Sequence, residues 1–253
     1  MFNANNYIID KVRRVTRSNS DGMVEFTLTS IENPQIQFTG ESTDKTDAYG
    51  VLLARFDTAK GVSFSGEASM LSMPLMAAQL GTDVQVATEE KKLSGKTFEI
   101  LSVADGKATM SYEPTTAPAY VYSMTQDKNI NEAIKVGAED GNASVSGKEI
   151  TLPEGFAGTQ VGVLYDYTTS AAVKVVDRSN EFAEAACYVV DVLAADVCNP
   201  AVKRHGFLVF PKAKIDNNFD INLTTEGTHP FSFTALKDYC SDDEELCYLL
   251  FHE

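Results

Sequence analysis

Residues 51–81, VLLARFDTAKGVSFSGEASMLSMPLMAAQLG, constrain the fold more than any other part of this chain. Around Thr58-Ala59-Lys60-Gly61 the residues alternate, with Leu53, Arg55, Val62 and Phe64 separated by small or polar neighbours. A period of two belongs to a strand with one buried face, so the stretch reads as a β-hairpin turning at Lys60-Gly61. The period then changes. Leu71, Leu75, Met76 and Leu80 recur at helical offsets, with Pro74 in the first turn and Gly81 at the stop. The apolar face, Leu53, Val62 and Phe64, is expected to pack on that helix.

At 253 residues and 43% hydrophobic, the chain can bury a sizeable core and is no candidate for general disorder. Its net charge is −15, with the acidic excess growing towards the C-terminal end. Neutralising phosphates needs clustered Lys and Arg, so specific nucleic-acid binding is not expected. The opening MFNANNYIID has no apolar leader region, and no apolar run nears the roughly 18 residues that span a bilayer. A soluble protein made in a cytoplasm is the expectation. Cys187, Cys198, Cys240 and Cys247 form no CxxC and stand at no metal-ligand spacing from His205, His229 or His252, so free thiols are expected.

The rest of the chain reads as β-rich. Residues 7–15 are a short basic segment with Lys11, Arg13 and Arg14, followed by Arg17. Residues 23–29 alternate as a half-buried strand, and 35–39 follow as another after Asn33-Pro34. Residues 40–47, GESTDKTD, read as a polar loop holding Glu41, Asp44 and Asp47. Strands are expected at 84–88 and 97–103, with Asp105-Gly106 turning into 108–112. The Pro- and Thr-rich connector 113–118 marks a boundary, and the closely punctuated strands of 119–180 suggest a small β-sandwich insertion. Three segments follow: 1–118 as the N-terminal core, 119–180 as the insertion, and 181–253 as the C-terminal core. Within the last, 186–193, 206–210, 219–224 and 229–233 read as strands and 236–239 as a helical turn. The apolar end, 246–251, needs a strand partner.

No catalytic pattern emerges: GxSxG, HExxH, P-loop and GxGxxG are all missing. Asp166 and Asp177 read as surface charge, and His205 and His229 as turn or packing residues. DNNFDIN at 216–222 lacks the glycine and terminal glutamate of a calcium loop. No catalytic residue, cofactor or metal is expected.

Several stretches together resemble the major tail tube protein of long-tailed bacteriophages: KGVSFSGEASML with the short helix PLMAAQLG, the strand GVLYDYTT, and FLVFPKAKIDNNFDINLTTEGTHPFSFTAL. The resemblance implies a β-sandwich or barrel-type fold with one flanking helix. It further implies hexameric rings stacked into a hollow tube through which viral DNA passes without specific binding. Other tail proteins (tape measure, tail terminator, baseplate or tip) would be the partners, and no membrane is involved. The location implied is the virion tail, assembled in the host cytoplasm. The hairpin would line the lumen with Arg55, Lys60, Ser63 and Ser65, joined by a second hairpin at 97–112. The loop with Glu41, Asp44 and Asp47 would bridge subunits or rings. The arm 1–15 would dock on a neighbour, Arg13, Arg14 and Arg17 meeting acids such as those at 242–245. Arg55 and Lys60 depart from a repulsive lumen lining. Three other readings remain: a capsid decoration or head-completion protein, a carbohydrate-binding sandwich and an enzyme. Lack of Trp disfavours the sugar binder, although 10 Tyr remain.

Overall fold

The computed structural model describes residues 7–196, 202–239 and 244–252. Two compact units divide the chain: residues up to Val84 with those from Val175 onward, and Gln85–Lys174. The first unit opens with strands β1 (Tyr7–Ser18), β2 (Val24–Leu28), β3 (Ile31–Thr46) and β4 (Leu52–Ala68), then helix α1 (Met73–Leu80). The second holds β5 (Gln85–Val86), β6 (Leu93–Ser102), β7 (Lys107–Thr109), β8 (Tyr120–Met124), β9 (Ile130–Lys135), β10 (Ser144–Ser146), β11 (Glu149–Thr151), β12 (Gln160–Thr169) and β13 (Val173–Lys174). The chain returns to the first unit with β14 (Ala185–Asp196), β15 (Lys203–Ile215), β16 (His229–Ala235) and β17 (Tyr248–His252). The expected mainly β class with one short helix is the class observed among the described residues.

In the first unit the antiparallel order is β2-β1-β14-β15-β16-β4-β3. β15 splits one of its edges: His205–Val209 pair β17, and Ala213–Ile215 pair β16. The apolar C-terminal strand thus has the partner it required. On β14, Ala186, Tyr188, Val190 and Val192 alternate onto the core. Phe233, fully buried on β16, is the centre of that core. Its ring stacks on Tyr188 at 4.1 Å and Phe64 at 5.3 Å, and meets Phe210 edge-on at 5.0 Å. Each such pair contributes about 0.5–1.5 kcal/mol beyond area burial, so one residue ties β4, β14 and β15 to β16.

Helix α1 starts where the Ser72 hydroxyl accepts from the Leu75 N–H at 3.3 Å, with Pro74 in the first turn. It stops at Gly81, whose φ of 70° is left-handed and whose Cβ would stand 2.2 Å from the Phe182 carbonyl carbon. Only glycine fits. The buried face is Leu75, Ala77, Ala78 and Gln79, and Leu71 is exposed because it precedes the first turn.

A buried polar chain fixes this helix to β16. The Ser72 N–H donates to His229 Nδ1 (3.3 Å), His229 Nε2 contacts Gln79 Oε1 (2.8 Å), and Gln79 Nε2 donates to the Pro230 carbonyl (3.0 Å). Because Nδ1 must accept, the proton belongs on Nε2, which then donates to Gln79: a neutral imidazole satisfies every member.

Elsewhere the sequence expectations shift. Residues 219–224 form no strand and 236–239 no helical turn. The second unit holds three sheets, β6-β12-β8-β9, β10-β11-β7 and the short pair β5-β13, with a core of Met110, Val121, Ile150, Val161, Val163 and Tyr165. The Asp105-Gly106 turn forms, both residues left-handed. Yet β6 and β7 enter different sheets, so no 97–112 hairpin pairs up. β6 pairs along the whole length of β12. A boundary at 119 would therefore separate two strands of one ladder; the observed unit starts at Gln85.

Two outcomes follow. Phe233→Ala removes the shared aromatic partner and should destabilise the first unit by about 3–5 kcal/mol in denaturant unfolding. Burial holds the His229 imidazole below its ordinary value of 6.5. Below that pH the unfolded chain gains a proton that folded His229 refuses, so stability falls with acidification, by at most about 1.4 kcal/mol per pH unit. Thermal melts between about pH 7 and 5 should show a steeper loss for the wild type than for His229→Gln.

Candidate assembly interface

The hairpin runs differently from the sequence reading. β3 and β4 pair from Ile31↔Ala68 out to Thr46↔Leu52, so residues 40–46 are strand and Lys60-Gly61 lie mid-strand. The turn is at Asp47–Val51. Asp47 Oδ1 accepts from the N–H groups of Tyr49 (2.9 Å) and Val51 (2.8 Å), and Gly50 has φ of 81°. Gly61 serves another purpose: opposite Thr39, it would bring a Cβ within 2.7 Å of the Thr39 hydroxyl.

Beyond Ser63, β4 loses its second neighbour. β16 pairs only Ser63–Ala68, so Leu52–Gly61 have β3 on one side and no described strand on the other. The result is a two-stranded ribbon whose residues are nearly all exposed, including Tyr49 at 93% and Leu53 at 63%. Leu53 therefore does not pack on the helix, whereas Val62 and Phe64 are buried in the core cluster that also holds Leu75 and Ala78 of α1. Open strand edges and exposed apolar side chains are the features by which β proteins recruit another chain.

Register places the ribbon residues. Asp44 stands opposite Arg55, and the pair is bidentate: Nε to Oδ1 at 2.7 Å and Nη2 to Oδ2 at 2.9 Å. The guanidinium holds the Asp44 carboxyl below its usual range, and Asp44 raises Arg55 in turn. One residue of β4 is extra between Glu41↔Ala59 and Ser42↔Asp57, a bulge that shifts the alternation. By this register Arg55 and Lys60 share the face of Val62 and Phe64, while Ser63 and Ser65 take the opposite face. The four expected lumen residues are thus on two faces, not one. Glu41 is exposed opposite Ala59, and Asp47 is spent on the turn.

The basic residues of the expected arm are built into β1, paired to β14 and β2; residues 1–6 lie outside the described residues. Arg14 Nε donates to Asp191 Oδ2 at 3.1 Å, and Arg13 stands 4.0 Å from that carboxylate. The Asp191 side chain is only 3% exposed, whereas Arg13 and Arg14 are about half exposed. His205 Nδ1 lies 3.6 Å from Asp191 Oδ1 and 3.3 Å from Arg13. Arg17 is buried, paired with Glu25 and donating to the Glu184 carbonyl, so it cannot serve as a surface contact. Of the acids at 242–245, residues 242 and 243 lie outside the described residues, and Glu244 pairs with Lys237. An apolar groove of ≈ 570 Å³ lies between β1 and β3, lined by Ile9, Val12, Ile36, Phe38, Phe64 and Leu208 among others. No sequence pattern marked it, because its walls come from strands distant in the chain.

Cys187 and Cys247 are free and partly buried, which raises both thiols; Cys198 and Cys240 lie outside the described residues. Among the described residues, no helix is long and apolar enough to cross a membrane.

Fold and surface define a class: a mainly β protein whose prominent surface feature is an exposed two-stranded ribbon rather than a cleft of reactive groups. The chain belongs to the YomU/Tube protein family, whose model matches residues 7–247. It is therefore a tube-type structural protein of phage origin, a component of the virion tail. No functionally curated protein matches it.

Asp47→Ala deletes both side-chain bonds of the ribbon turn. Amide exchange at Tyr49 and Val51 should accelerate while the melting temperature of the first unit stays unchanged, since exposed segments open independently of the core.

Proposed function

We propose that this chain is the repeating subunit of a phage tail tube, closing into hexameric rings that stack into the conduit for DNA ejection. The carrying observation is the open edge of β4 at Leu52–Gly61 in a chain of a tube protein family. Pairing that edge with a strand of the next subunit satisfies its free N–H and C=O groups and removes an aggregation-prone edge. Head-to-tail pairing of this kind closes a ring when the rotation permits, and stacking of rings then yields a filament.

The ribbon tip, with Tyr49, Val51 and Leu53 exposed, supplies the apolar part of the contact. Arg13 and Arg14, half exposed over Asp191, face acidic surface on a neighbour, which a chain of net charge −15 presents widely. That same charge lets DNA pass without adhering. The Arg55–Asp44 pair removes the objection of a cationic lining at that position, because its charges cancel within the subunit. Tape-measure, terminator and baseplate or tip proteins would meet the ends of such a tube.

Electron microscopy of the purified chain tests this. Rings or tubes should appear, more readily as salt screens the mutual repulsion of like-charged subunits. A double change Leu53→Asp with Phe56→Asp, on the exposed ribbon, should abolish tubes while leaving the melting temperature of the monomer intact. A wild-type chain that stays monomeric at high concentration and high salt would overturn the reading.

A further inference from the structure

Beneath Arg13 and Arg14 lies a carboxylate that the fold leaves half satisfied. Asp191 alternates with the core residues Val190 and Val192, so it stands on the other face of β14. Its side chain is nevertheless only 3% exposed, roofed by Arg13, Arg14 and His205. Arg14 Nε donates to Oδ2, whereas Oδ1 is buried with no hydrogen-bond partner among the described residues. A buried acceptor left unmet is costly. His205 Nδ1 stands 3.6 Å from that oxygen, just beyond bonding distance.

Arg13 occupies the same nitrogen. It is the extra residue of a bulge in β1, between the pairs Val12↔Val192 and Arg14↔Asp191. Consecutive side chains of a regular strand take opposite faces, and the bulge lets both arginines reach one carboxylate. From there Arg13 Nη1 lies 3.3 Å from His205 Nδ1. A guanidinium only donates, so Nδ1 accepts and the imidazole proton belongs on Nε2. One nitrogen thus faces a donor and an acceptor and serves one of them at a time. With a lone pair it holds Arg13; with a proton it holds Asp191.

The remaining neighbours leave that choice to Asp191. In register, His205 stands between Leu193 of β14 and His252 of β17, and Lys11 of β1 lies across Leu193. The two imidazoles are 6.2 Å apart, and His252 also stacks on Phe207. Lys203, on the same face of β15, is paired with Asp10 of β1, and Arg204 falls on the opposite face.

We infer that His205 is an acid-operated switch for Arg13: a proton on Nδ1 moves the imidazole from Arg13 to Asp191 Oδ1 and releases the guanidinium into solvent. Histidine is the side chain that changes charge near neutrality. The same proton sets a second positive charge beside Arg13, which drives it outward. The switch works within one subunit, so it stands or falls separately from tube formation.

NMR of the full-length, isotope-labelled chain between about pH 8 and 5 tests the switch. At the alkaline end, long-range proton–nitrogen spectra should show His205 as the Nε2–H tautomer. On acidification, exchange of the Arg13 guanidinium protons should accelerate about tenfold, although intrinsic base-catalysed exchange slows. Arg14, held by Oδ2, should not follow. His205→Gln, whose amide oxygen still accepts from Arg13 and does not titrate, should keep Arg13 protected at both ends. His205→Lys should release it at both. The side chain replaced is 40% exposed, so neither change opens the core. The readout is local because His229 already makes global stability fall with acid. An Nδ1–H tautomer at the alkaline end would overturn the switch. So would Arg13 exchange that only slows with acid, or the same profile in wild type and His205→Gln.

Discussion

The packing of Phe233 is the contact on which the first unit depends. Three successive strands and the distant β4 meet at one ring, through Phe64 on β4, Tyr188 on β14 and Phe210 on β15. Interiors are close-packed, so such a cluster fixes the strands' relative register and not merely their proximity. Because Phe233 pairs directly opposite Phe64, the cluster also decides where β16 leaves off and the free length of β4 begins. The ribbon projects because the core ends there.

Much of the body was legible from sequence. Pro74 and Gly81 bounded a helix that forms where they indicate, and Val62 with Phe64 announced a buried face. The ribbon was not legible, for a physical reason. Alternation signals a strand only when one face is buried, and residues 40–47 have neither face covered, so their polar run looked like a loop. Lys60-Gly61 looked like a turn because glycine usually marks one. Here Gly61 relieves a cross-strand approach to Thr39, a contact invisible in one dimension.

The basic residues teach a related lesson. Arg13, Arg14 and Arg17 looked free because their partners are either remote, as Asp191 is, or of ordinary appearance, as Glu25 is. The strand pairing of β1 with β14 brings Asp191 beneath them, and no local pattern encodes that. The segment boundary failed similarly: the Pro- and Thr-rich stretch at 113–118 is a connector within the second unit, because β6 and β12 pair across it in sequence.

The bulge near Thr58 has a consequence for how this ribbon can vary. The extra residue stands outside the alternation of β4, while β3 runs on unbroken opposite it. Losing it would leave the hairpin paired, with Arg55 still opposite Asp44 and on the same face. A change of one residue at this point is therefore absorbed locally, without carrying the tip of the ribbon to its other side.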